Sequence, residues 1–195
     1  MNPITHDLCD GTLQLWPDFL SLETADRFLN ALMDEIPWRQ DEITLFGRTH
    51  NIPRLQAFQG DAGIQYRYSR LTLDADPWSS TISSIKQALE EHSQQRFNAV
   101  LLNLYRNGND SMGWHSDDEP ELGPNPVIAS VSLGNSRRFI LRRKDNHTEK
   151  LELQLTHGSL LVMSGALQHH WQHSVPRTRT ACEPRINLTF RQITG

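Results

Sequence analysis

Short runs of branched and aromatic residues divide the second half of the sequence, and this division limits the fold more than any other feature. Turn-forming Gly, Pro, Asn and Asp residues separate the runs, which indicates strands joined by short connections. The predicted strands are residues 99–106, 127–133, 138–142, 151–155, 159–163, 171–175 and 185–193. Because no helix is predicted between them, the pattern favours an antiparallel β-sandwich or jelly roll.

Two amphipathic helices are predicted in the first half of the chain. Residues 21–36 carry apolar side chains at helical spacing, and Ser21 is placed to cap the start. Residues 77–92 repeat this spacing, with Asp76 as the expected N-cap and Pro77 in the first turn. The expected fold class is therefore α+β and mainly β, with both helices packed on one sheet.

Length and composition indicate the number of domains and the cellular location of the protein. A chain of 195 residues is long enough for one domain with a sizeable core, so we expect a single domain over residues 1–195. The chain has no apolar run of membrane-spanning length, and its N-terminus lacks the pattern of a signal peptide. Two cysteines, Cys9 and Cys182, cannot form a disulfide framework. We expect an intracellular monomer that binds no membrane, cytoplasmic if bacterial and nuclear if eukaryotic.

The net charge of the chain is negative, but basic residues cluster in a few segments. A net charge of −4 gives no overall attraction to nucleic acid. Three segments nevertheless concentrate positive charge: one holds Arg137, Arg138, Arg142, Arg143 and Lys144, another holds Arg177 and Arg179, and a third holds Arg67 and Arg70. Taken alone, these clusters are equally consistent with unrelated solvated surfaces.

A histidine and a carboxylate two residues apart are the first candidate metal ligands. If His115 and Asp117 lie in an extended segment, both side chains point to the same face. A third ligand should come from another strand, and His173 stands at the end of one. Two histidines and one carboxylate are typical of Fe(II) oxygenases, in which open positions accept a co-substrate and O2. Three protein ligands and a water also describe catalytic zinc, so a zinc hydrolase on a jelly roll remains an alternative.

The last predicted strand is charged on one face. Polar residues Arg185, Asn187, Thr189 and Arg191 alternate with apolar Ile186, Leu188 and Phe190, and Asn103 and Tyr105 share one face of an earlier strand. A buried arginine without an anion destabilises a protein by several kcal/mol. A dicarboxylate such as 2-oxoglutarate would satisfy both arginines through paired hydrogen bonds. The alternative is an edge strand on which both arginines face solvent.

Together these motifs resemble the AlkB family of Fe(II)/2-oxoglutarate-dependent nucleic-acid dealkylases. The segments that carry the resemblance are residues 103–105, 114–119, 173–176 and 184–191, within a match from about residue 15 to 193. The resemblance implies a double-stranded β-helix core and O2 as a co-substrate. It also implies Fe(II) on His115, Asp117 and His173, and 2-oxoglutarate on Asn103, Tyr105, Arg185, Asn187 and Arg191.

The resemblance further implies oxidative demethylation of N-alkylated bases, which is repair by direct reversal. The expected substrates are bases such as 1-methyladenine and 3-methylcytosine in single- or double-stranded DNA, with RNA as a further candidate. Decarboxylation of 2-oxoglutarate would release succinate and CO2, and the methyl group would leave as formaldehyde. Because these methylated bases are cationic, Asp118 or Glu119 beside the metal would favour them electrostatically. A jelly roll that binds nucleic acid without turnover is the alternative outside enzymes.

A substrate-recognition lid is expected around residues 42–70, again by resemblance. Within it, Tyr68 is the candidate for stacking on the base, Tyr66 and Ser69 for polar contacts, and Phe46 for a hydrophobic finger. The alternative is that these aromatic residues are core residues of a half-buried strand. The candidates for phosphate contacts are Arg137, Arg143, Lys144, Arg177 and Arg179.

Overall fold

The structure is a computed structural model that describes residues 2–45, 48–68, 71–180 and 182–194. Its helices are α1 (Leu22–Glu35), α2 (Ser80–Ser93) and the short α3 (Leu167–His170). The strands are β1 (Ile4–Leu8), β2 (Gly11–Trp16), β3 (Glu42–Leu45), β4 (Arg48–Asn51), β5 (Leu55–Gly60), β6 (Gln65–Tyr68), β7 (Leu71–Asp74), β8 (Ala99–Tyr105), β9 (Met112–His115), β10 (Ile128–Gly134), β11 (Arg137–Arg143), β12 (Lys150–Leu155), β13 (Ser159–Gly165), β14 (Trp171–Val175) and β15 (Arg185–Arg191).

Two antiparallel sheets form the body of the described chain. The large sheet has the strand order β1-β2-β13-β10-β15-β8-β5, and the small sheet has the order β12-β11-β14-β9. One apolar cluster joins them, with Leu101 and Leu161 from the large sheet packed with Phe139, Leu141 and Trp171 from the small sheet. The predicted sandwich of short antiparallel strands is confirmed, and all seven strands of the second half are found close to their predicted bounds.

The helices α1 and α2 cover the outer face of the large sheet. Their buried residues Leu32, Ile85 and Leu89 belong to a second apolar cluster that includes Leu188 and Phe190 of β15. Packing rather than helix propensity stabilises such amphipathic helices. The prediction that both helices pack on one sheet is confirmed.

The start of α2 differs from its prediction. The helix begins at Ser80, and its N-cap is Ser79, whose hydroxyl accepts a hydrogen bond from the Ile82 backbone N–H. Asp76 cannot cap it, because its backbone N–H and C=O bond to Phe58 and Gly60 of β5. A tertiary bridge therefore keeps Asp76 extended, and the predicted N-cap is wrong by three residues.

The structure adds a short helix, α3, between β13 and β14, where none was predicted, and it adds strands that the sequence patterns did not predict. The β1–β2 hairpin extends the large sheet next to β13, and the four-residue β9 forms an edge of the small sheet. Strand β1 is mostly exposed and β9 is too short to show alternation, whereas β2 does alternate, with Leu13 and Leu15 buried. No helix within the described ranges has the length and apolar character needed to cross a bilayer.

Two small hairpins flank β5 in the region predicted to be a lid. One consists of β3 and β4, and the other of β6 and β7. The predicted finger residue Phe46 and the predicted base contact Ser69 lie outside the described residues, as does the side chain of Tyr68.

Candidate metal and co-substrate site

The three predicted metal ligands lie together between the two sheets. His115 ends β9 and pairs in register with His173 of β14, while Asp117 follows β9 by two residues. One ligand atom from each residue lies within 4.8 Å of the others, which is close enough to share one ion. The donor set of two imidazoles and one carboxylate fits a first-row divalent metal such as Fe(II).

A register shift in β9 orients the first ligand. His115 pairs with His173 and Met112 with Val175, so β9 contains one residue more than β14 over this interval. Such a bulge re-aims side chains. In the resulting arrangement Met112 and His115 line the same cavity, and Trp114, between them, is exposed.

The protonation states of the three groups suit metal binding. Burial lowers the pKa of His115, and burial and the neighbouring His115 lower the pKa of His173 to about 3. Burial alone would raise the pKa of Asp117, but Arg191 and the two imidazoles hold it at about 2. At neutral pH the site therefore presents neutral imidazoles and an ionised carboxylate, which are the forms that bind metals.

Hydrogen bonds orient the ligands before any metal binds. The Nδ1 of His115 lies 2.8 Å from the Gly113 carbonyl oxygen, which can only accept, so this hydrogen bond places the proton on Nδ1 and Nε2 would be the atom that binds a metal. Arg191 donates from Nη2 to Asp117 Oδ1 at 2.8 Å. The backbone N–H of Asp117 donates to Gln168 Oε1 at 3.0 Å. Gln168 was not predicted, because nothing in its local sequence reveals a contact made across 51 residues.

Replacing Gln168 with methionine should weaken metal binding about tenfold, the lower range for loss of an outer-shell partner. Gln168 is buried, so methionine keeps most of its volume while removing the oxygen that accepts from Asp117. Mn(II) binding followed by electron paramagnetic resonance measures the effect. Gln154→Met on the exposed face of β12 is the matched control. Equal affinity of Gln168→Met and the wild type would show that this hydrogen bond does not position Asp117.

The arginines of β15 are buried and incompletely paired. Arg185 is fully buried and donates from Nη2 to Ser132 Oγ at 2.9 Å, but its Nε and Nη1 have no partner among the described residues. Its guanidinium carbon lies 5.3 Å from the centre of the Tyr105 ring. Burial lowers the pKa of Arg185 to about 10, so it remains charged at neutral pH. Unpaired donors on a buried cation fit a carboxylate ligand.

The polar face of β15 meets the metal ligands in one cavity. Its lining includes Asn103, Tyr105, Asn187, Thr189 and Arg191 together with the three ligands. The Nε of Arg191 is a further buried donor without a partner among the described residues. The residues present therefore fit a dicarboxylate that also reaches the metal. Buried Arg54, which was not predicted, donates to Asn103 Oδ1 at 2.7 Å.

The residues predicted to contact a base have different environments. Tyr66 has no exposed surface, and its ring stacks on Phe58 at 5.8 Å between ring centres. It belongs to the apolar cluster between the sheets, and its ring centre also lies 5.2 Å from the Arg191 guanidinium carbon, so a contact of Tyr66 with a base stays a prediction. The carboxylate of Glu119 is partly buried, and burial and Asp117 raise its pKa. Asp118 is exposed and forms an ion pair with Lys144 at 2.8 Å.

Three of the five predicted phosphate contacts are engaged within the protein. Arg137 is buried and donates to the carbonyl oxygens of Asn107, Asp110 and Pro176, so the prediction that it contacts phosphate is wrong. Arg143 forms ion pairs with Asp10 and Asp145, and Lys144 forms one with Asp118. Arg177 and Arg179 are exposed and remain available.

Comparison with known proteins gives matches over most of the chain. Residues 12–191 match the model of the 2OG-Fe(II) oxygenase superfamily. The human protein named alpha-ketoglutarate-dependent dioxygenase alkB homolog 3 is 42% identical, over 92% of this chain and 65% of its own length. The mouse DNA oxidative demethylase ALKBH2 is 42% identical, over 87% of this chain and 75% of its own length. The chain thus spans about 65% of the length of the first of these relatives.

Solved structures with low sequence identity share the fold. The structure of OsALKBH1 covers 96% of this chain and 99% of its own, with a TM-score of 0.63 and 19% identity. A Pseudomonas putida prolyl-4-hydroxylase covers 94% of each chain, with a TM-score of 0.60 and 15% identity. The predicted double-stranded β-helix core is confirmed by this likeness.

Proposed function

Because the chain belongs to the AlkB family within the 2OG-Fe(II) oxygenase superfamily, we propose that it is a dioxygenase that removes N-alkyl groups from nucleic-acid bases. The observation that carries this proposal is the convergence of His115, Asp117 and His173 within 4.8 Å, beside arginines with unpaired donors. A zinc hydrolase would leave those arginines without a role.

We assign the metal and co-substrate contacts as follows. His115, Asp117 and His173 would hold Fe(II), and Arg185 with Tyr105 would bind the far carboxylate of 2-oxoglutarate. Asn103, Asn187 and Arg191 would hold the end nearer the metal, and Arg191 would also keep Asp117 oriented. When bound, Fe(II) and 2-oxoglutarate supply the O2-dependent oxidation of the N-methyl group. The chain itself positions both groups and keeps water out of the buried cavity.

The proposed substrates are 1-methyladenine, 3-methylcytosine and similar bases in DNA, with RNA as a further candidate. One curated relative is named a DNA oxidative demethylase. The products would be the repaired base, formaldehyde, succinate and CO2. Of the two acidic candidates for attracting a cationic base, Glu119 is the stronger, because Lys144 already neutralises Asp118. The carboxylate of Glu119 is partly buried and lies beside Asp117 and Tyr66.

We propose that residues 1–195 form one catalytic domain and that the region around 42–70 is its substrate lid. The hairpins β3–β4 and β6–β7 would border the entrance on either side of β5. Within this lid, Tyr68 would stack on the flipped base, and Tyr66 and Ser69 would make polar contacts with it. Arg177 and Arg179 would contact phosphates outside the lid.

The proposed function is tested by turnover of one defined lesion. The protein is supplied with Fe(II), ascorbate, 2-oxoglutarate and O2 with an oligonucleotide carrying one 1-methyladenine or 3-methylcytosine. We expect succinate and loss of the methyl mass in equal amounts. If no succinate forms with either lesion, whether it is presented in single-stranded or duplex DNA or in RNA, a nucleic-acid-binding module without turnover would be favoured. Methyl loss with Zn(II) and without O2 would favour a hydrolase.

Replacing Phe46 with alanine should reduce repair of duplex DNA about tenfold more than repair of single strands. An apolar wedge contributes by filling the gap that a flipped base leaves in a duplex, and a single strand has no such gap. Initial rates on the same lesion in both strand states measure this difference. Equal losses on the two substrates would exclude Phe46 as a finger.

A further inference from the structure

The outer face of the small sheet carries an exposed aromatic residue beside basic side chains. The outward-facing residues are Trp114 on β9, Arg138, Ile140 and Arg142 on β11, Lys150, Glu152 and Gln154 on β12, and Gln172 on β14. Three cations and one carboxylate give this face a net positive charge in a chain whose total is −4. The outer face of the large sheet, in contrast, is covered by α1 and α2.

Trp114 and Arg142 form a stacked pair on this face. The Arg142 guanidinium carbon lies 4.1 Å from the centre of the Trp114 ring, and 37% of Trp114 is exposed. Arg142 is held in place by bonds from its Nε and Nη2 to Gln172 Oε1 at 3.2 and 3.0 Å. Its charge has no carboxylate partner among the described residues, whereas Arg138 on the same strand is paired with Glu152.

The bulge in β9 is the reason that Trp114 lies on this face. It lets Met112 and His115 both point into the cavity while Trp114, between them, is exposed. Since β9 is the edge strand of the small sheet, Trp114 stands at the border of that sheet, next in sequence to a proposed metal ligand.

We propose that the Trp114–Arg142 pair is a stacking platform for an unpaired base that flanks the base in the cavity. Aromatic rings bind bases of any identity by stacking, and a neighbouring arginine adds cation–π and phosphate attraction. The ligand is therefore single-stranded nucleic acid, bound without sequence preference. This inference rests on the proposed function, since it concerns the strand that carries the substrate.

The test measures binding of an unmethylated 20-nucleotide oligothymidine and of its duplex by fluorescence anisotropy. Trp114→Ala should weaken single-strand binding about tenfold, within the range for loss of one stacked base. Trp114→Phe should restore most of the affinity because it keeps a stacking ring. Arg142→Ala should also weaken binding. The matched control is Lys86→Ala, which removes a cation lying 5.5 Å from the centre of the Trp78 ring on the helical side.

The dependence of binding on salt separates stacking from general charge attraction. Trp114→Ala removes no charge, so its affinity should fall equally at all salt concentrations. Arg142→Ala should lower both the affinity and the slope of affinity against salt. Affinity of Trp114→Ala equal to that of the wild type would overturn the platform. So would an equal loss for Lys86→Ala.

A second readout separates this inference from the proposed function. Each variant is also assayed for succinate formation with 1-methyladenine as a nucleoside 5′-monophosphate, which has no flanking base. The platform predicts that Trp114→Ala loses activity on the oligonucleotide by a larger factor than on the monophosphate. Equal losses on both would place Trp114 in the metal site and overturn the platform. A wild type that binds the single strand but forms no succinate would contradict the proposed function and leave the platform standing.

Discussion

Replacing Asp117 with alanine should abolish metal binding and oxidative turnover together. Asp117 is the only carboxylate of the three-ligand group that the described residues form, so two imidazoles would remain. The same change leaves Arg191 buried without its ion pair, which typically costs about 3–5 kcal/mol of folding stability. Mn(II) binding by electron paramagnetic resonance and succinate formation measure the first effect, and thermal unfolding measures the second.

A second substitution separates loss of the ligand from loss of the fold. Asp117→Asn keeps an oxygen that accepts from Arg191 but replaces the anionic ligand with a neutral amide. We expect it to unfold at a higher temperature than Asp117→Ala and still to bind Mn(II) poorly. Asp34→Ala, on the exposed side of α1, is the control for loss of an aspartate. A folded Asp117→Ala variant that binds metal and repairs normally would end the metal-site assignment.

Replacing Arg185 with methionine should raise the 2-oxoglutarate concentration for half-saturation about 100-fold. Breaking a buried hydrogen-bonded charge pair costs about 2–5 kcal/mol, and each 1.4 kcal/mol is tenfold in affinity. In the absence of 2-oxoglutarate, the same substitution should not lower the folding stability of the protein. Two donors of the buried Arg185 guanidinium lack partners, so an apolar side chain of similar length should leave the free protein equally or more stable.

A shortened co-substrate identifies which carboxylate Arg185 binds. The wild type should strongly prefer 2-oxoglutarate over 2-oxobutyrate, which lacks the far carboxylate, and Arg185→Met should lose most of this preference. Arg96→Ala is the control, because this arginine is 87% exposed in its side chain and lies away from the cavity. If half-saturation and preference were unchanged in Arg185→Met, the far carboxylate would have to bind elsewhere.

Local sequence patterns were sufficient to predict which side chains share one face of a single strand. The alternation along β15 correctly separates Arg185, which packs on Tyr105, and Arg191, which lines the cavity, from Leu188 and Phe190 in the helix-covered cluster. The two-residue spacing of His115 and Asp117 likewise indicated a common face. Such periodicities are direct consequences of strand geometry, so they are readable without a fold.

Predictions failed where a side chain's partner lies far along the chain. Arg137 looks like any surface arginine in a basic run, yet it is buried against carbonyls of two other segments. Gln168 and Arg54 carry no local signal at all, although each bonds to a residue of the proposed site.

The sequence by itself determined the class of fold, the ligand types and the charged face of the last strand, because backbone periodicity dictates which side chains share a face. Only the tertiary structure decided which polar groups are left unpaired. The unpaired donors of Arg185, the ion pair of Asp118 with Lys144 and the exposure of Trp114 all depend on which strands become neighbours. Strand pairing is a contact between distant segments, and hydrogen-bond satisfaction follows from it rather than from local sequence.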